Sequence, residues 1–239
     1  MRGEGKRGDD DGAASLVSSD LLPFTPSRPS RVRSWLPRAA LFLLCLIPAS
    51  LMVYDALTGN LSADPIKALT HRTGIWGLTC LTAALAITPA RRLTGWNRLQ
   101  SYRRMLGLFA FFYLSLHFSV YLVLDQFFDW HTIVKDVTKR PYITVGFTGF
   151  LLMIPLALTS TRGWVKRLGR RWVTLHALIY VTALAGIVHF TWSQKADVTR
   201  PRLYGAVIVV LLAARLAPML LRAARAGRNE RAAPAPGLS

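Results

Sequence analysis

Residues 168–190 read LGRRWVTLHALIYVTALAGIVHF. A basic entry is followed by an apolar run long enough to cross a bilayer, and the run carries two histidines, His176 and His189. Hydrocarbon offers an imidazole no hydrogen-bond partner, so a histidine at that depth needs another group to satisfy it. The pair is thirteen residues apart, about 20 Å along a helix. That spacing sets one histidine near each side of a hydrocarbon layer roughly 30 Å thick. Neutral imidazole is a common axial ligand of haem iron, and two such positions on one helix could serve two haems stacked across a membrane. Thirteen residues leave the two side chains about 140° apart around the helix, and Gly186 offers a place for local distortion between them.

The rest of the chain has the same character. Its 239 residues are 52% hydrophobic and carry a net charge of +18. Six apolar segments lie between basic clusters: Ala39–Leu57, Thr73–Pro89, Met105–Leu124, Tyr142–Thr159, Trp172–Trp192 and Leu203–Leu221. A soluble nucleic-acid binder could share the charge but not the segments, so nucleic acid is excluded and the partner is membrane lipid. The expected fold is an all-α integral membrane protein, a six-transmembrane-helix bundle with both termini cytoplasmic. Residues 1–35, rich in Gly, Ser, Pro, Asp and Arg, read as a disordered cytoplasmic extension. Residues 36–221 form the membrane domain, and 222–239 a basic, frayed cytoplasmic tail. Pro48 should bend segment one, and a short surface helix is expected after Pro65, in the loop before segment two. Cys45 and Cys80 both fall in apolar segments and read as small packing residues; they form no CxxC or CxxCH motif.

Orientation follows from lysine and arginine. Of the 30, 22 fall in the N-terminus, in 90–104, in 160–172 and from Arg215 onward, and 8 fall in the alternate loops. The richer side is cytoplasmic. Arg215, near the inner end of segment six, is expected to snorkel toward that surface. All twelve Asp and Glu lie in tails, loops or segment edges, which argues against a proton-coupled transporter or cation channel.

Segments three and five then both run outward. His117, in FFYLSLHFSVYLVL (111–124), lies in the outer half of segment three, at the depth of His189 on segment five. Two histidines at one depth on two helices can hold one haem by two axial imidazoles; hydrogen bonds across helices are the simpler reading of each histidine alone. His176, in the inner half, faces no histidine on segment three. The corresponding position there is Arg103, either an inside-positive anchor or a partner for a haem propionate. His71, at the outer start of segment two, reads first as an interfacial histidine and second as a ligand. His131, in FFDWHTIVKD (127–136), reads as a loop residue.

Taken in order, SADPIK (62–67) with His71 and Gly74, ITP (87–89), RRMLG (103–107) with His117, KRPYITVG (139–146), TST (159–161), LGRRWVTLHALIY (168–180) and VHFTWS (188–193) resemble a known family. It is the MsrQ (YedZ) family, the haem-binding membrane subunits of the periplasmic protein-methionine-sulfoxide reductase system, within the wider ferric-reductase-like transmembrane group. The resemblance covers about Trp35 to Leu221; the long N-terminal extension departs from it. It implies a multi-pass b-type cytochrome of the bacterial inner membrane, holding haem b, with FMN also attributed to the family. It implies electrons taken from the quinone pool and passed to a periplasmic, molybdopterin-containing catalytic subunit that reduces methionine sulfoxide in oxidised proteins. The chain would thus be an electron-transfer subunit and not the catalytic one. The family's functional histidines fall on His117, His176 and His189; no motif marks an FMN site.

Two other functions compete. A self-contained ferric reductase or NADPH oxidase would need a flavin and nicotinamide domain after segment six, where only 222–239 follow and no GxGxxG occurs. A cofactor-free transporter or structural protein would leave the matched histidines and the missing intramembrane acids without explanation.

Overall fold

The computed structural model describes the backbone of residues 31–194 and 197–232, with side chains described for 35–194, 197–215 and 217. The extension expected to be disordered lies outside the described residues up to 30, as does the tail from 233. All regular elements among the described residues are helical: α1 (Arg31–Leu57), α2 (Pro65–Thr94), α3 (Gln100–Ser119), α4 (Trp130–Lys139), α5 (Pro141–Leu158), α6 (Arg162–Leu168), α7 (Arg170–His176), α8 (Leu178–Ser193) and α9 (Thr199–Ala232). Among the described residues, five stretches are long and apolar enough to cross a membrane: Trp35–Leu57, Pro65–Thr94, Asn97–Asp125, Pro141–Leu158 and Arg170–Ser193. The sixth expected segment lies inside α9, which continues past Leu221 to Ala232 through a run rich in alanine, a strong helix former.

The residues from Ala40 onward form one packed unit. Its closest pairings are α2 with α3 and α5 with α8; α9 packs on α2 and α8, and α3 meets α5. Helix α2 is central, with 44% of its apolar window buried, against 11% for α1 and 11% for the α7–α8 span. Leu81, Leu85, Ala110, Tyr113, Ala183 and Ile208 are almost completely enclosed. Leu43, Leu44 and Leu57 of α1 stay exposed, as expected of a helix whose outer surface meets lipid.

Several expectations need correction. Pro65 does not begin a separate surface helix. It is the first residue of α2, because the Asp64 carboxylate caps the end by accepting the Lys67 N–H at 3.0 Å and proline suits the first helical position. The polar first turns, with Lys67, His71 and Arg72, conceal the helix in the sequence, and Arg72 pairs with Asp55 at 2.6 Å. The loop expected around His131 contains α4, whose Ile133 and Asp136 are buried while His131 is exposed. Asp136 is held by Arg140 at 3.1 Å and by the Tyr121 hydroxyl at 3.4 Å.

Pro48 leaves α1 a continuous helix, and a neighbouring side chain enters the backbone ladder beside it. The Tyr113 hydroxyl donates to the Cys45 carbonyl at 2.6 Å and accepts the Ala49 N–H at 3.1 Å. Those are the two groups that a regular α-helix would join directly. Inserted side chains of this kind are a recognised cause of helix opening.

The helices carrying histidines are irregular beside them. After His117, α3 passes into a π-helical stretch, Val120–Asp125, a feature common at functional sites. The apolar run 168–190 is broken at Ala177, directly after His176, with Tyr180 N–H returning to the Ala177 carbonyl at 3.0 Å. Gly186, where the sequence leaves room for distortion, lies within α8, and the irregularity is at Ala177.

Candidate functional site

His117 on α3 and His189 on α8 meet in the interior, with ring centres 6.0 Å apart and planes at 83°. Each is anchored in the same way. His117 Nδ1 lies 2.8 Å from the Thr70 carbonyl on α2, and His189 Nδ1 lies 2.7 Å from the Tyr142 carbonyl on α5. A carbonyl oxygen can only accept, so Nδ1 carries the proton on both rings. That leaves each Nε2 with a free lone pair, the tautomer a metal ligand requires.

Two glycines make the anchoring possible. A Cβ on Gly74 would stand 3.1 Å from His117 Nδ1, and one on Gly146 would overlap His189 Nδ1. Each glycine lies one turn after the residue whose carbonyl takes the bond, so ring and backbone meet where no side chain intervenes. One turn further, Gly77 lets Leu114 of α3 come close, and Gly149 does the same for Ala185 of α8. Small residues at such positions allow membrane helices to approach.

Among the described residues, no group of three or more His, Cys, Asp or Glu could hold a bare metal ion. Two imidazoles leave most of a metal's coordination to be filled by a non-protein ligand, and the four pyrrole nitrogens of haem fill it. His117 and His189, each with a free Nε2 and with ring centres 6.0 Å apart, are the residues that would hold such a group.

The other end of α7–α8 differs. His176 stacks on Trp172, ring centres 3.9 Å apart at 25°, and Trp172 is pinned by its Nε1–H donating to the Thr159 carbonyl at 3.0 Å. Both nitrogens of His176 are enclosed, and no hydrogen bond of ordinary geometry reaches either among the described residues, although the backbone of Trp172 and Leu156 lies close by. A buried imidazole in that state has an unmet need for a ligand or a donor. Arg103 of α3 lies within electrostatic range of it.

The remaining candidates stand apart. His71 places its ring 6.0 Å from that of Phe190 and lines a small recess with Gln194, Asp197 and Arg200. It makes no hydrogen bond with the His117–His189 pair. Arg215, expected to snorkel, is 4% exposed and turned into the protein. Its Nη1 donates to the Tyr180 hydroxyl at 3.2 Å and its Nη2 to Thr88 Oγ1 at 2.7 Å.

Sequence reasoning finds the histidines and misses what holds them. The signal is present as a repeat: GIWG (74–77) and GFTG (146–149) each begin 43 residues before a histidine, and Thr70 and Tyr142, whose carbonyls accept the imidazole N–H groups, each lie 47 residues before one.

Comparison with known proteins adds a second line of evidence. Residues 73–187, which include His117 and His176, match the family model described as ferric reductase like transmembrane component. The chain is 50% identical over 199 residues to the protein-methionine-sulfoxide reductase heme-binding subunit MsrQ of Rhodospirillum rubrum, covering 82% of this chain and 94% of that protein. It is 49% identical over 199 residues to the protein of the same name from Herminiimonas arsenicoxydans, covering 82% and 90%. It is 44% identical over 191 residues to that of Caulobacter vibrioides, covering 80% and 91%.

Proposed function

This chain belongs to the MsrQ family of heme-binding subunits, and from that premise we propose that it is a b-type cytochrome passing electrons across the bacterial inner membrane to a methionine-sulfoxide reductase. The observation that carries the proposal is the His117–His189 pair, its ring centres 6.0 Å apart and each Nδ1–H committed to a backbone carbonyl. His117 and His189 would hold one haem b through their Nε2 atoms, and His176 would provide the protein ligand of a second. Bound haem iron supplies one-electron chemistry by cycling between its ferrous and ferric states.

The chain's part is to hold and insulate. The carbonyls of Thr70 and Tyr142 fix both tautomers and orient both rings. Trp172 fixes the plane of His176. Apolar packing keeps water from the site and sets its dielectric, one of the levers a protein has on a haem potential. The electron donor is the quinone pool. The acceptor is a periplasmic molybdopterin-containing subunit that carries out the sulfoxide chemistry. FMN rests on family resemblance alone, and no residue of this chain is assigned to it.

Six spans with both termini in the cytoplasm agree with the 22-to-8 division of lysine and arginine. Reporter fusions after Arg98 and Gly163 should read cytoplasm, and fusions after Asp129 and Asp197 periplasm; the reverse pattern would sink the orientation. The haem assignment is tested by pyridine haemochrome quantification on the purified protein. About two haems per chain are expected, with a reversible reduced-minus-oxidised spectrum. A folded, colourless protein would remove the proposal, and one haem lost with His117 or His189 but indifferent to His176 would remove the second site.

A further inference from the structure

Arg215 is a cation buried in the wall of a membrane bundle. It is 4% exposed, and its guanidinium lies 5.7 Å from the centre of the Tyr180 ring. Its two hydrogen-bond acceptors, the hydroxyls of Tyr180 and Thr88, are neutral, and its Nε is enclosed without a partner among the described residues. Neither ion pair found among the described residues involves it. Arg103 stands near enough for the two positive charges to repel. A second positive charge within range raises the cost of burying Arg215, unless an anion sits beside it.

The position identifies that anion. Tyr180 is four residues beyond His176, about one helical turn. Arg103 lies within electrostatic range of both Arg215 and His176. The His176 nitrogens and the unpartnered Arg215 Nε therefore lie toward the same end of the α7–α8 span, where α9 packs on α2 and α8. A ligand that meets both needs must offer a metal to His176 and a carboxylate to Arg215. Haem offers both on one molecule. We infer that Arg215, assisted by Arg103, receives a propionate carboxylate of the haem held by His176. This rests on the reading of His176 as a haem ligand. A planar, permanently charged fork suits a carboxylate better than an ammonium does.

The test is a potentiometric titration of the full-length protein in detergent, following the His176-dependent and the His117/His189-dependent haem signals separately. Arg215→Gln should lower the midpoint potential of the first, because the lost positive charge had favoured the reduced iron, or should empty that site. The second signal should stay unmoved. Arg215→Lys should keep most of the wild-type potential. Reconstitution with haem dimethyl ester, whose propionates carry no charge, should shift the same component in the wild type. Retention of the His176-dependent haem should fall in Arg215→Gln relative to the wild type with native haem, and should be alike in the two proteins with the ester. Wild-type potential and haem retention at both components of a folded Arg215→Gln protein would overturn the inference. So would a loss of retention in Arg215→Gln that is as large with the ester as with native haem, which would point to another anion such as a lipid phosphate. Should Arg215→Gln fail to fold, the ester arm in the wild type decides alone, an unmoved His176 component refuting the pairing. Absence of any His176-dependent haem in the wild type would show that the underlying reading had failed first.

Discussion

Gly146 has no side chain, and the imidazole of His189 occupies the space where one would stand. Two opposing effects follow from placing alanine there. In a helix, alanine gains about 0.5–1 kcal/mol over glycine. Forcing a methyl group into the ring costs about 1–3 kcal/mol, or moves the ring instead. The clash outweighs the gain in helix propensity. Gly146→Ala should break the bond from His189 to the Tyr142 carbonyl and convert the low-spin haem signal of this site to high-spin, visible in the absorption and EPR spectra. Gly74→Ala should do the same more weakly at His117, where the intruding Cβ stands 3.1 Å from Nδ1. Equal and unperturbed spectra in both variants would contradict this anchoring.

His117→Ala and His189→Ala should resemble each other, since each removes one of two axial bonds to a single iron. The double variant should be little worse than either one, the non-additivity expected of two groups acting as a unit. His176→Ala should remove a different spectral component and leave this one standing. Titration of the two components in the three single variants checks the pairing. Additive losses from His117→Ala and His189→Ala would show that they serve different sites.

Tyr113→Phe separates structure from electron transfer. The hydroxyl serves the Cys45 carbonyl and the Ala49 N–H beside Pro48, and the side chain is fully buried. Its removal leaves the Ala49 N–H and the Cys45 carbonyl, both partly buried, without that partner, a loss of about 1 kcal/mol. The thermal unfolding midpoint of the detergent-solubilised protein should fall while the haem spectrum stays as in the wild type.

The Asp129 carboxylate caps α4, accepting from the Thr132 hydroxyl at 2.7 Å and the His131 N–H at 3.0 Å. These bonds, that from the Thr132 hydroxyl foremost, hold its pKa below the ordinary aspartate value. A depressed carboxyl stabilises the folded form above its unfolded value and ceases to do so as pH falls through its folded value. Protection factors of the amides in Trp130–Lys139, exchange taken relative to the intrinsic rate at each pH, should fall on acidification through that range. Asp129→Asn, which keeps a cap without the titration, should flatten the response.

Much of the architecture can be read from apolar runs, because a membrane span must satisfy its own backbone and announces itself by length and composition. The elements that escape such a reading lack that signature. The first turns of α2 are polar, and α4 mixes Trp130, His131 and Lys135 in ten residues. The break at Ala177 has no mark at all, since alanine is the strongest helix former. Arg215 escapes for a different reason. Its position along the chain suggests a depth, but depth does not say which side of a helix faces the protein. The histidines are legible because imidazole is chemically distinctive. Their carbonyl partners are not, since every residue carries a carbonyl and only the fold chooses which one is used.

That choice has an evolutionary consequence. A histidine oriented by a carboxylate side chain can lose its partner to one codon change. At residues 70 and 142 the accepting atom belongs to the main chain, so the identity of the side chain is free to drift; one is already threonine and the other tyrosine. Selection is displaced by one helical turn, onto residues 74 and 146, where the requirement is for the smallest residue available. In lineages descended from this chain, tolerance and intolerance should therefore alternate along α2 and α5 in step, with variable carbonyl-bearing positions each followed four residues later by an invariant glycine.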